Sequence, residues 1–96
     1  SGGISLANHK SALKRARQNK VRRLRNKGYR TKVKNSIKEV KASIAERSVD
    51  KARGSFTNAV SIIQKTADKG IIHKNNASRK ISRLARQLNR LTVQQP

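Results

Sequence analysis

Apolar residues in this 96-residue chain fall into three stripes with helical spacing, separated by two short breaks. Val33, Ile37, Val40 and Ile44 step by four, three and four, which places them on one helix face. Ala52, Phe56, Ala59, Ile63 and Ala67 step by four, three, four and four, and Val60 and Ile62 widen that face. A face that broad suits a helix touching two others, with Phe56 expected to fill the shared core. Ala77, Ile81, Leu84, Leu88 and Leu91 step by four, three, four and three. No proline precedes Pro96, and the remaining positions are rich in good helix formers. The pattern predicts an all-α fold, a three-helix bundle with a long N-terminal helix projecting from it.

The punctuation gives the expected bounds. Residues 1–7 read as a disordered tail, and the first helix starts at Asn8, whose side chain is placed to cap it. Gly28 reads as a tolerated helical glycine. Ala45–Val49 is the first break, with Ser48 as N-cap of the second helix and Asp50 in its first turn. Gly70 stands at the C-terminal cap, and Ile71–His73 connects to a third helix over Lys74–Leu91. Residues 8–91 form one domain and residues 92–96 a second tail. Traced backwards, the Val33 seam meets Arg30, Asn26, Arg23 and Asn19. The buried seam therefore stops near Val33 while the helix continues. Leu13, Val21 and Leu24 lie in the projecting half, off the core face.

Charge changes the picture more than length does. The chain carries 25 Lys and Arg against 4 acids, a net charge of +21. Twelve of the cations fall within Lys10–Lys34, where no acid occurs. Like charges at that density repel, so the stretch calls for a polyanion. Cations surround this helix, whereas a duplex-groove reader concentrates base-reading side chains on one face. The pattern points to folded RNA approaching from several directions. Arg79, Arg83, Arg86 and Arg90 step along the polar face of the third helix and form a second basic stripe. Tyr29 and Phe56 are the only aromatics, too few for a sheet that stacks bases. No apolar run reaches membrane-span length.

Nothing in the chain suggests catalysis or a cofactor. Glu39 and Glu46 are seven apart and suit local charge compensation rather than acid–base work. His9 and His73 have no cysteine or carboxylate cluster to complete a metal site. No glycine-rich phosphate loop is present.

Ala7-Asn8-His9-Lys10-Ser11-Ala12-Leu13-Lys14-Arg15, the basic Leu24-Arg25-Asn26-Lys27, and Lys69-Gly70-Ile71-Ile72-His73-Lys74-Asn75 with Ala77, Arg79, Ser82, Arg83 and Leu84 carry a likeness. Over roughly Ala7 to Leu91 the chain resembles the bacterial- and plastid-type small-subunit ribosomal protein twenty (S-twenty) family. The resemblance implies a three-helix bundle with a long first helix, and a non-enzymatic structural role. It implies direct binding to 16S ribosomal RNA, at the 5′ domain and the 3′ minor domain, by a monomer within the ribosome. Other small-subunit components are possible neighbours; no DNA and no membrane are expected. Carried over by motif, Asn8, Lys10, Ser11, Lys14 and Arg15 face RNA, as do His73, Lys74, Asn75, Arg79 and Arg83. Charge and helix geometry add Arg17, Lys20, Arg22, Arg23, Arg25, Lys27, Arg30, Lys34 and Lys80. Family members usually begin with Met where Leu6 stands. The residues ahead of it suggest a trimmed plastid precursor, so plastid stroma is the expected location and bacterial cytoplasm the alternative.

The competing class is a DNA-binding protein, regulatory or non-specific, with Lys10–Lys34 as a basic region ahead of a zipper. The Val33–Ile44 seam is short for a dimerising zipper, and two further amphipathic helices would go unused. A membrane-active cationic helix is disfavoured because Lys10–Lys34 lacks a clean apolar face.

Overall fold

A computed structural model describes residues 2–94, with side-chain surroundings for residues 10–93. It contains three helices: α1 over Gly2–Ala45, α2 over Val49–Asp68 and α3 over Lys74–Gln94. The molecule measures 78 × 21 × 14 Å with a radius of gyration of 20.3 Å. A compact chain of about 100 residues has a radius near 13 Å. The excess comes from α1, which at about 1.5 Å per residue runs roughly 66 Å.

α1 begins ahead of the expected Asn8 start. Nothing in Gly2–Ala7 forces a stop, so Asn8 lies within the helix. α3 likewise continues past Leu91 to Gln94. Val93 is 83% exposed there, so its side chain adds no burial to this last turn. Gly28 sits inside α1 with nothing within 4 Å of where a Cβ would be, so no close approach requires glycine.

The core is built on Val33, Val40, Ala59, Ile63, Ala77 and Leu84. Its α1 seam is Val33, Ser36, Val40 and Ser43, all buried. Ile37 and Ile44, expected on the seam, sit partly buried at its edges. Small side chains here let helix backbones approach closely. Ser36 Oγ donates to the Val33 carbonyl at 2.8 Å. Ser43 and Ser55 hydroxyls meet across α1 and α2 at 3.3 Å. On α2, Ala52, Ala59, Ile63 and Thr66 are fully buried. Thr66 Oγ1 donates to the Ile62 carbonyl at 2.7 Å, which offsets its burial cost. Ala67 is partly buried beside it.

The expectation for Phe56 needs correction. It is partly buried at the edge of the core. The largest fully buried side chains are Ile63, Leu84, Val40 and Thr66, and Phe56 packs against this core from its edge. On α3, Ala77, Leu84 and Leu91 are buried, while Ile81 and Leu88 are half-buried.

Both turns use the same device. Arg47 (φ 58°) and Gly70 (φ 76°) adopt the left-handed conformation just past α1 and α2. Arg47 N–H donates to Ile44 O, and Ser48 N–H to Ser43 O. Gly70 N–H donates to Ala67 O, and Ile71 N–H to Thr66 O. These paired bonds satisfy carbonyls that the helix end leaves open, and glycine is the usual residue there. Ser48 occupies the N-cap of α2 as expected, although its side chain makes no cap bond; Asp50 lies in the first turn. The resulting up-down-up order returns the end of α2 and the start of α3 to the middle of α1.

Candidate nucleic-acid interface

The bundle's upper edge is marked by Tyr29. The Lys69 ammonium lies 5.2 Å from its ring centroid and that of Lys32 lies 5.4 Å away. Cations over an aromatic face are held by its quadrupole, so this contact secures the α2–α3 turn against α1. Beyond it, α1 projects without cover.

Along that projection Lys10, Ser11, Lys14, Arg15, Arg17, Lys20, Arg22, Arg23, Arg25 and Lys27 are all exposed. Leu13, Val21 and Leu24 are 50%, 66% and 62% exposed. The Asn8 side chain lies outside the described residues. Arg30 and Lys34 are exposed on the part of α1 that enters the bundle.

The second motif is brought to the root of this projection. His73 precedes α3, and its Nδ1 accepts the Asn75 N–H at 3.1 Å. Its ring therefore caps the helix, a role the sequence reading did not assign. His73, Lys74, Asn75, Arg79 and Arg83 are exposed, and Lys80 is half-buried. Arg30 and Lys34 of α1 face Asn76 and Lys80 of α3 across one open cleft. The two sequence-distant basic groups thus adjoin, while Lys10–Arg25 stands apart. Lys32 and Lys69, flanking Tyr29, and Lys38 and Lys41, lining that cleft, were missed. The last two lie just past the densest charge run, and their helical spacing from Arg30 and Lys34 was the available signal.

Among the described residues, no three His, Cys, Asp or Glu side chains gather in a metal-binding group. Glu46 pairs with Lys51 at 3.3 Å, and Glu39, Asp50 and Asp68 lie exposed. No described helix is long and apolar enough to cross a membrane. The surface is suited to hold a polyanion by charge.

Comparison with known proteins agrees with this picture. Residues 7–89 match the family described as Ribosomal protein S20. A small ribosomal subunit protein bS20 from Desulfatibacillum aliphaticivorans is 51% identical over 86 residues, spanning 90% of this chain and 98% of that one. The bS20 of Syntrophobacter fumaroxidans is 51% identical over 86 residues, covering 90% and 100%. That of Geobacter sulfurreducens is 45% identical over 86 residues, covering 90% and 99%.

Proposed function

The chain belongs to the ribosomal protein S20 family, and from that membership we infer a structural, non-enzymatic constituent of the small ribosomal subunit that binds small-subunit ribosomal RNA. One observation carries the physical side of this reading. A helix with cations on all sides and no acid from Lys10 to Lys34 projects beyond its own bundle. Such an element neutralises phosphates of RNA segments that would otherwise repel each other.

The bacterial relatives favour the bacterial cytoplasm. The plastid location expected from the residues ahead of Leu6 has no support among them, and those residues carry no weight either way.

At finer scale, the exposed arm from Lys10 to Lys27 engages one RNA region. The cluster at the start of α3 (His73, Lys74, Asn75, Arg79, Lys80 and Arg83, with Arg30 and Lys34) engages another. The 5′ domain and the 3′ minor domain of 16S RNA are the proposed pair, and residues 8–91 the binding unit. The DNA-binding alternative loses ground because Val33 and Val40 are buried in the chain's own bundle, leaving no zipper seam for a second copy.

Nuclease footprinting on naked 16S RNA, with total cellular RNA as competitor, tests this. Two separated protections that survive competitor are expected. Diffuse protection erased by competitor would overturn the specific reading and restore a non-specific binder.

A further inference from the structure

Between α1 and the start of α3 lies an open cleft of about 640 Å³. Its floor is apolar, formed by Val33, Ile37 and Ile72. Its α1 rim is Arg30, Lys34, Lys38 and Lys41, and its α3 rim includes Lys80. A neighbouring hollow extends the α3 rim to Arg83, with Lys41 and Lys80 shared. No acidic residue lines either hollow. Six cations around an apolar trough repel one another, and no lining residue of either hollow offsets them.

The α1 rim is not an isolated group. Arg23, Lys27, Arg30, Lys34, Lys38 and Lys41 step by four, three, four, four and three. That is one continuous ridge on a helix. Its members advance about 4.5–6 Å per step along the axis, comparable to the separation of successive phosphates on one nucleic-acid strand. The ridge begins on the projecting arm and ends deep alongside the bundle.

We propose that this cleft extends the cluster at the start of α3 and seats a single unpaired RNA strand. The ridge from Arg30 to Lys41 and the facing Lys80 and Arg83 hold its phosphates, and Val33, Ile37 and Ile72 receive its sugar faces. Width decides between strand and duplex. An RNA duplex is about as wide as the whole bundle, whose short dimensions are 21 and 14 Å, and cannot enter a trough cut into it. One unpaired strand presents phosphates and sugars together, matching rims and floor at once. No aromatic residue lines the trough, so recognition is by backbone and tolerant of sequence. The site reaches past the dense run that ends at Lys34, and Lys38 and Lys41 become RNA-contacting residues. The proposal rests on the ribosomal-RNA reading above and adds to it the site and the form of RNA held.

The test uses the full chain and a 16S RNA transcript. The triple variant Lys38→Gln, Lys41→Gln, Lys80→Gln is compared with Lys51→Gln, Arg53→Gln, Lys65→Gln, which removes the same charge from α2. Circular dichroism verifies that both fold. The cleft variant is expected to lower the slope of log affinity against log salt by about 0.7 per lysine, the single-strand value, and the α2 variant to leave it unchanged. Equal losses in both, or none in the cleft variant, would overturn the cleft while leaving RNA binding by the wild type intact. A wild type that shows no preference for 16S RNA over competitor would instead remove the underlying reading, and the cleft with it. A photo-crosslinker at Asn76 in assembled small subunits gives a second readout. Crosslinks to unpaired RNA are expected; crosslinks to protein, or to duplex RNA, would overturn the proposal.

Discussion

Residues 10–25 and 33–45 belong to one unbroken helix, yet they are held by different forces. In the second stretch Val33, Ser36, Val40 and Ser43 disappear beneath α2 and α3, and burial maintains the helix. In the first, every side chain is exposed, the cations repel, and only local propensity opposes fraying. Most helix stability in proteins comes from packing one face. Continuity of backbone therefore does not imply continuity of stability. The bundle carries its own stabilisation, whereas the arm's would have to come from outside the chain.

The sharpest way to break this contrast is a matched pair of substitutions. Val40→Asp buries an uncompensated carboxylate at a position with no solvent exposure. It should cost several kcal/mol and unfold the bundle. Leu24→Asp, 62% exposed on the same helix, should move stability by no more than about 0.5 kcal/mol. Thermal melts by circular dichroism compare them, and similar melting temperatures would abolish the distinction.

The next test exchanges the readout. Replacing Lys10, Lys14, Lys20 and Lys27 by Gln should leave the melt unchanged and flatten the salt dependence of RNA binding by about 0.7 to 0.9 per lysine. A lowered melting temperature would show that the arm supports the bundle after all.

Hydrogen exchange then compares the halves directly. Without RNA, amides of residues 10–25 should exchange within seconds while those of Val33–Ile44 stay protected, and RNA should protect both. Protection of the arm in the free protein would sink the coupled-ordering account.

Two glycines supply the smallest effects. Gly70→Ala forces a side chain into φ 76° with no other contact nearby and should destabilise the bundle by about 1–2 kcal/mol. Gly28→Ala should raise helicity by up to about 1 kcal/mol at the junction, with little change in the global melt.

How much of this was legible in the sequence depended on what a letter reveals. The α3 stripe was readable because Ala77, Leu84 and Leu91 are apolar and strictly spaced. The α1 seam was half-hidden: Ser36 and Ser43 read as polar, although each hydroxyl finds a partner and the small side chain suits a close helix contact. Thr66 was missed for the same reason. Phe56 misled in the opposite direction, since size and apolarity suggested a central place, whereas it packs at the edge of the core. For the candidate site, the exposed arm was evident from charge density along the chain. The cleft was not, because Lys38 and Lys80 come to line one trough only through the packing of α1 and α3. His73 as a cap was equally invisible, since it depends on where α3 begins.

The up-down-up order has a kinetic consequence. α1 packs mainly on α2, and α2 on α3, with α1 and α3 meeting least. Nearly all contacts thus join chain neighbours, so the loops to be closed are short. Topologies dominated by local contacts fold in microseconds to milliseconds. A polycation that folded slowly would spend that time as an open chain, adhering to any RNA within reach. Two helical hairpins that close on that timescale would leave the arm to meet RNA from a finished bundle.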